Sequence, residues 1–545
     1  MTQHAGDAAR IDARLQELVS AYSGDSVAVA DLLCDRFADD GEKVALFYED
    51  DEGREEELTF ARLRELSASF AGALRELGVD EGDRVATLLP KSPELMVAFL
   101  GIWRLGAVYV PLFTALGSEA VGYRLDDSGA KVVITNQTYR DQVGEDGDAR
   151  VVVVGEASGE DVSFEEALRS ADPVEEPVSV SGEDPMIQLY TSGTEGNPKG
   201  VEVPAWTLAA FEAYMRFGLD LREDDFYWNV ADPGWAYGLY YGVIGPFLLG
   251  KSTLWVNAPF DPEDVYRTIE KYGVTNLAAA PTAYRALRAA VDQQTGAEGL
   301  GLRAASSAGE PLNPGVIEWA EQTLGIEIRD HYGQTELGMV INNHQHPDFA
   351  LPLRPGSMGQ AMPGFRAVLV DENANELGPG EEGRLAIDTG NSPLHWFSGY
   401  YRDPERTSER FSEDKRYYFT GDSATCDEDG YFFFSGRRDD IILSAGYRIG
   451  PFEVESALTE HPAVAEAAVV GKPDELRGEV VVAFVVPTGE HQPSEELAEE
   501  LQEHVKSNLA AHAYPREIHF REELPKTPSG KIQRFLLRSE VEQDD

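Results

Sequence analysis

Leu189–Tyr190–Thr191–Ser192–Gly193–Thr194–Glu195–Gly196–Asn197–Pro198–Lys199–Gly200 is the stretch on which the reading of this chain turns. The apolar run Met186 to Tyr190 predicts a strand end, and it leads into hydroxyl residues, three glycines and a lysine. That composition suits a loop around an anionic phosphate chain. Glycine lets backbone N–H groups approach closely, Thr and Ser hydroxyls add donors, and the lysine supplies a point charge. The stretch is not G-x-x-x-x-G-K-[ST], because Lys199 is followed by glycine rather than by a hydroxyl residue. Taken alone it also fits a plain surface turn.

A chain of 545 residues exceeds what one hydrophobic core holds and predicts two or more domains. Forty-six Lys+Arg against 97 Asp+Glu give a net charge of −51, and only 11 of the basic residues are lysine. Such a surface argues against nucleic acid and anionic membrane as partners. With 42% hydrophobic residues and the acids spread throughout, the excess describes a folded protein with an acidic skin rather than a disordered tail. We read it as adaptation to high salt, where screening shortens self-repulsion. Cys34 and Cys426 lie far apart with no C-x-x-C spacing, which supports neither a disulfide framework nor a zinc site. The N-terminus lacks a basic region followed by an apolar core, and no run of 18 apolar residues occurs, so the expected location is the cytoplasm.

Along the chain, residues 1–58 predict a short helical opening and the acidic turn Glu49–Gly53 between two apolar runs. Phe60, Leu63, Leu66, Phe70, Leu74 and Leu77 are spaced as a helix that stops at Gly78. A strand follows over 84–89, then a helix opened by Ser92 and Pro93, then strands over 107–110 and 131–135. The alternation resumes over 227–230, 253–256, 276–280, 302–306 and 326–329, with a helix capped by Asp261. Strands alternating with helices predict α/β architecture, here two doubly wound sheets. Between 364 and 435 short β-rich pieces predict a small barrel or meander. Beyond Asp440 the helices 451–458 and 495–509 and the strands 465–470 and 480–486 predict a compact α+β module.

Further stretches are Ala308–Gly309–Glu310–Pro311, Tyr332–Gly333–Gln334–Thr335–Glu336, Phe419–Thr420–Gly421–Asp422, Gly436–Arg437–Arg438–Asp439–Asp440–Ile441 and Pro525–Lys526–Thr527–Pro528–Ser529–Gly530–Lys531. Together with the opening loop they resemble, in order and spacing over roughly residues 40 to 535, the core motifs of the adenylate-forming superfamily. That superfamily includes acyl-CoA synthetases, peptide-synthetase adenylation domains and firefly luciferase. The resemblance implies an N-terminal AMP-binding domain over 1–437, a hinge at 438–440 and a mobile C-terminal domain over 441–545. It implies a ligase with ATP, Mg²⁺ and CoA: a carboxylate attacks the α-phosphate of ATP, pyrophosphate leaves, and a thiol then takes the acyl group and releases AMP.

By the same resemblance Thr191, Ser192, Gly193, Thr194 and Lys199 hold the β- and γ-phosphates, Thr335 sits near the α-phosphate, and Glu336 is the Mg²⁺ ligand. Gly309, Glu310 and Pro311 line the adenine, Asp330, Tyr332, Gly333 and Gln334 join the nucleotide set, Asp422 accepts the ribose hydroxyls, and Arg437 contacts ribose and phosphates. Lys531 serves the first half-reaction, Asp439 is the hinge, and Ser444, Gly446, Tyr447, Arg448 and Arg477 belong to the CoA side. The residue types suit the chemistry. An ionised carboxylate offers only acceptors to a diol, a carboxylate is a hard donor for Mg²⁺, and a lysine offsets negative charge in the transition state.

Within the family the likeness is strongest to short- and medium-chain acyl-CoA synthetases, through Gly446–Tyr447–Arg448–Ile449–Gly450–Pro451 and Leu476–Arg477–Gly478–Glu479–Val480. Acetyl-CoA synthetases carry a tryptophan where this chain has Gly333, which implies a deeper acyl pocket, whereas Trp235 and Tyr237 are bulky enough to close it from another side. The expected acid is therefore short to medium, straight or branched; acetate or an aryl acid, or another acceptor than CoA, are the alternatives. Only 14 residues follow Lys531, too few for a carrier-protein module. No acid–base residue for the CoA thiol is evident; His331, beside Tyr332, is only a neighbour of the motif and is not assigned that role. The acidic skin has a direct test: the unfolding midpoint rises steeply with KCl concentration, and equal stability in dilute buffer would refute the salt-adaptation reading.

Overall fold

The computed structural model describes residues 2–144, 147–191, 197–291, 300–437, 440–445, 447–474, 477–489, 491–510, 512–526 and 531–543. Local chemistry sets the element ends. Thr59 caps the helix Phe60–Glu76 by accepting from the Arg62 amide at 3.1 Å, and Gly78, at φ +85°, follows its C-cap as the spacing predicts. Ser92 caps Pro93–Arg104 and Asp261 caps Pro262–Tyr272 in the same way.

Two large sheets build the N-terminal part. In the first, Val162–Ser163, Arg150–Val154, Val132–Asn136, Arg84–Leu88, Val108–Pro111 and Pro185–Thr191 lie side by side in that order, all parallel. Their residues are apolar on both faces, as a sheet covered by helices requires. Lys199–Pro204 closes one edge antiparallel, so the opening stretch is the tip of a hairpin in which Thr191 pairs with Lys199.

The second sheet begins with parallel Tyr227–Asn229, Asn276–Ala279, Ala304–Ala308 and Ile328–Gln334. It then turns antiparallel through Gly338–Asn342 and Ser357–Ala361 into Phe432–Arg437, Tyr417–Cys426, Glu382–Asp388 and Ala367–Val370. The β-rich piece at 364–435 thus continues this sheet as a meander, bent by bulges at Ser423/Ala424 and Arg384/Ala386. Thr253–Asn257 differs from expectation: it pairs with Val44–Asp50, and Glu55–Thr59 completes a separate three-stranded sheet. An apolar run specifies a strand but not its neighbour. Here Glu49 at the end of its partner strand is drawn to Arg267 at 3.3 Å and to Lys271 on the following helix.

In the C-terminal domain Val464–Asp474 and Gly478–Pro487 form a long antiparallel pair, flanked by Ile442–Ser444, Tyr447–Ile449 and Glu517–Phe520. Alternation divides its core: Val469, Val481 and Ala483 pack with Val454, Leu458, Leu501 and Val505, while Val470, Val482 and Phe484 pack with Leu524, Leu537 and Val541. The two domains meet through Asn313 Nδ2, which donates to Thr459 Oγ1 at 2.5 Å, and through Gly450, where a Cβ would stand 2.0 Å from the Ser435 carbonyl oxygen.

Arg104 fastens the N-terminal helices. Its wholly buried guanidinium donates to Asp35 Oδ1 at 2.5 Å, the Glu175 carbonyl at 2.9 Å and Ser67 Oγ at 3.3 Å. Removing one partner of a buried pair costs about 3–5 kcal/mol. Arg104→Ala is therefore expected to lose that much in urea unfolding, and Asp35→Ala on that background to cost less than it does alone; strictly additive losses would show that the two charges are uncoupled.

Candidate active site

The hairpin tip is held from three sides. Arg406 Nη1 donates to the Asn197 carbonyl at 3.1 Å, Tyr123 Oη to the Pro198 carbonyl at 3.2 Å, and the Tyr401 amide to the Gly200 carbonyl at 2.8 Å. Ser192, Gly193 and Thr194 lie outside the described residues; Thr191 and Lys199 flank them. Lys199 Nζ stands over the Tyr400 ring, 4.9 Å from its centroid. Burial lowers the pKa of this ammonium, and Arg410 and Arg406 lower it further, against Glu336 and Glu409.

Glu336 is 7% exposed, and its Oε1 accepts from Tyr400 Oη at 2.8 Å. Among the described residues no group of three or more His, Cys, Asp or Glu could hold a metal. One buried carboxylate nevertheless suits Mg²⁺, which fills its shell mainly with water and substrate phosphates. Thr335 is fixed through its backbone, whose carbonyl accepts from Tyr240 Oη at 3.3 Å.

The ribose and adenine candidates converge on the second sheet. Asp422 pairs with Arg437 across adjacent strands, and its Oδ2 accepts from Tyr332 Oη and from Gln334 Nε2, the latter at 3.0 Å. Burial pushes the Asp422 carboxyl up, while Tyr332, Arg437, Arg410 and Lys531 pull it down. Gly309, at φ +105°, turns the chain out of Ala304–Ala308, and Glu310 pairs with Arg285 at 3.3 Å. Past Pro311, the Leu312 amide donates to Asp330 Oδ2 at 3.3 Å. Burial raises the Asp330 carboxyl to about 8, and its Oδ1 has no hydrogen-bond partner among the described residues.

Lys531 comes from the other domain, yet its charge acts on Asp422, which puts it within electrostatic reach of the cleft. The helix Arg534–Gln543 after it is tied down by Arg534, whose guanidinium donates to Glu455 Oε1 at 2.8 Å and Oε2 at 2.7 Å and also senses Glu310. The hinge candidate Asp439 lies outside the described residues; its neighbour Asp440 accepts from Arg538 at 2.9 Å. On the CoA side, Ser444 pairs with both Tyr447 and Gly478, and the Ala445 amide donates to the Arg477 carbonyl at 2.7 Å. Ser444, Tyr447 and Arg477 thus come together, with Tyr447 stacked on His512 at 4.1 Å; Gly446 and the Arg448 side chain lie outside what is described.

On the acyl side, Trp235 packs against Phe113 with ring centroids 5.0 Å apart, and Tyr237 lies 6.1 Å from Tyr241. Gly333 has a backbone reason of its own: a Cβ there would stand 2.2 Å from the Gly338 carbonyl oxygen of the same hairpin. His331 does not serve the thiol. It is 2% exposed, its Nδ1 meets Tyr214 Oη at 2.7 Å and its Nε2 the Asn343 carbonyl at 3.2 Å, and burial pushes its pKa down to about 3. Tyr400, Arg406 and Arg410 are the site residues that sequence reasoning missed. They lie between motifs, in a segment whose composition carries no signal of phosphate chemistry.

The chain matches the family model for AMP-binding enzymes over residues 34–401 and that for the AMP-binding enzyme C-terminal domain over 453–531. It is 42% identical to the acetyl-coenzyme A synthetase of Bacillus subtilis (strain 168), over 91% of this chain and 87% of that one. A solved Brucella canis acyl-CoA synthetase is 49% identical, covers 97% of both chains and superposes with a TM-score of 0.75. The anthranilate CoA ligase AuaEII, solved with anthranoyl-AMP, is 31% identical with a TM-score of 0.86, covering 95% of this chain and 98% of that one. The order of motifs, the shared cleft and these likenesses agree: the chain belongs to the AMP-binding enzyme family, with its large domain and its C-terminal domain both present.

Proposed function

We propose that the protein is an AMP-forming acid–CoA ligase acting on a short- to medium-chain carboxylic acid, straight or branched, in the cytoplasm. The support is geometric: Lys199 over Tyr400, Tyr400 on Glu336 and Tyr332 on Asp422 meet in one cleft, with Lys531 of the C-terminal domain near enough for its charge to act on Asp422. A lysine borne on a separate domain is otherwise a solvated surface charge.

In this reading the acid's carboxylate oxygen attacks the α-phosphorus while the bond to the pyrophosphate oxygen breaks. Lys199 and the backbone of the hairpin tip retain the leaving pyrophosphate, Asp422 and Tyr332 orient the ribose, and Lys531 offsets negative charge where the new bond forms. Glu336 would hold Mg²⁺, which when bound would supply further charge neutralisation on the phosphates. In the second step the thiol attacks the acyl carbon and AMP leaves. Rotation at 438–440 removes Lys531 and brings the Ser444–Arg448 hairpin, with Arg477 beside it, to the cleft. The pantetheine and phosphates of CoA then meet backbone groups and arginines in place of lysine.

The length of the acid is argued from Trp235 and Tyr237. Trp235 is braced by Phe113, so the indole is a fixed wall. Gly333 carries less weight, because the tight approach of Gly338 demands glycine there whatever the substrate.

ATP–pyrophosphate exchange with a panel of acids, followed by CoA addition, tests the class: propionate, butyrate or a branched homologue is expected to exchange fastest, and CoA to release AMP. Lys531→Ala is expected to lose acyl-AMP formation by several orders of magnitude while keeping thioester formation from supplied acyl-AMP. Equal loss in both half-reactions would remove Lys531 from its role. Trp235→Gly is expected to shift preference to longer acids; a clear preference for acetate that Trp235→Gly leaves unmoved would overturn the chain-length reading.

A further inference from the structure

Arg410 belongs to none of the stretches that the sequence singles out, yet it stands among all of them. Its Nε donates to Tyr400 Oη at 3.1 Å and its Nη1 to the Thr420 carbonyl at 3.3 Å. Tyr400 in turn donates to Glu336, and its ring carries Lys199. On the other side the guanidinium lies against the turn before Asp422. Gly421 has φ +84°, and a Cβ on it would stand 2.7 Å from Arg410 Nη1, so only glycine lets the cation lie that close. Through Tyr400 and Thr420 the guanidinium thus stands between Lys199, Glu336 and the turn that carries Asp422, and its charge acts on all three.

For Lys199 the placement is electrostatically unfavourable, in a protein of net charge −51 that has acids to pair with its few cations. Lys199 is instead set facing both Arg410 and Arg406, and each lowers its affinity for a proton. Cations that repel one another in a partly buried cleft are balanced when an anion with several oxygens lies between them. Arg410 has five N–H groups in a planar fork, and the hydrogen bonds to Tyr400 and Thr420 leave others for that anion. The Tyr400 hydroxyl separates the guanidinium from Glu336, so the arginine is not consumed by the carboxylate that faces the same cleft.

We propose that Arg410 is a polyphosphate-binding residue of this site, taking oxygens of the β- and γ-phosphates of ATP and of the departing pyrophosphate with its remaining N–H groups. The proposal rests on the adenylating reading above. A merely structural Arg410 would pin Tyr400 and Thr420 and touch no ligand.

Equilibrium binding of pyrophosphate, ATP and AMP, each with Mg²⁺ and without acid or CoA, separates the two. One hydrogen bond to a charged group contributes roughly 1.5–3 kcal/mol, so Arg410→Gln is expected to weaken pyrophosphate and ATP by about 10- to 100-fold and AMP by less than about 2-fold. Arg410→Lys, which keeps the charge without the fork, is expected to fall between. Equal weakening of AMP and pyrophosphate would assign Arg410 a structural role, and unchanged pyrophosphate binding would remove it from the site. Should Arg410→Gln not fold, as judged by its thermal midpoint, Arg410→Lys carries the same comparison of pyrophosphate with AMP. Wild-type protein that shows no ATP–pyrophosphate exchange with any acid would defeat the ligase reading itself; exchange by wild type together with unaltered pyrophosphate affinity in the variants defeats only the proposal for Arg410.

Discussion

A protein with twice as many acids as bases has to gather a polyanion, and the arrangement of its cleft follows from that constraint. Elsewhere arginines are taken up by carboxylates. Arg366 is shared by Glu376 at 2.6 Å and Asp388 at 2.7 Å, Arg303 lies between Asp220 and Asp225, and Arg354 between Asp427 and Asp429. Around the hairpin tip Arg410 and Arg406 instead bear on Lys199 and lower its pKa, although Arg406 also meets Asp403 at 3.5 Å. Isolated exposed ion pairs contribute little to stability, so the pairing on the surface serves chiefly to keep cations out of the bulk field. The mutual repulsion in the cleft is the larger effect, because burial there weakens screening. It is a cost in the free protein that the phosphates of ATP remove.

The same logic shapes the tyrosines. Tyr332 and Tyr400 each donate a hydroxyl to a buried carboxylate, Asp422 and Glu336 respectively. Burial raises both phenols, so they remain neutral donors at any physiological pH. A neutral donor satisfies a carboxylate's lone pair without neutralising its charge. Asp422 is thereby held in place with acceptor capacity to spare for a diol, and Glu336 with a second oxygen for a metal. A lysine in either position would form a salt bridge and compete with the ligand.

Legibility in the sequence followed the range of the interaction concerned. Helix ends were readable because their causes are local: Thr59, Ser92 and Asp261 each cap from within three residues. Strand existence was readable from apolar runs, but sheet membership was not, as Thr253–Asn257 shows by pairing with Val44–Asp50 across about two hundred residues. Thr335, Glu336, Asp422 and Lys531 were legible only through ordered motifs. Arg410 was not legible at all, since what gives it meaning is Gly421 beside it and Tyr400 in front of it, both supplied by the fold. The surroundings of His331 were equally unreadable: its ring is buried against Tyr214, a partner more than a hundred residues away in the chain.

The interface between the domains closes the electrostatic account. If Lys531 must enter the cleft for one step and leave for the next, neither arrangement can be much more stable than the other, since a bias of about 5.5 kcal/mol already separates populations ten-thousandfold. An apolar interface of core quality would exceed that readily. Among the described residues the contacts seen here include one edge-on aromatic pair, Phe434 with Phe452 at 6.3 Å, and polar contacts of another kind. Asn313 gives Thr459 one side-chain hydrogen bond while its Oδ1 goes on capping its own helix by accepting from the Gly315 amide at 2.7 Å. Arg534 keeps both its strong bonds to Glu455 inside the C-terminal domain and only senses Glu310 across the gap. Asn313 and Arg534 therefore each have an intradomain partner to retain when the domains part, which keeps the polar cost of separating them there small.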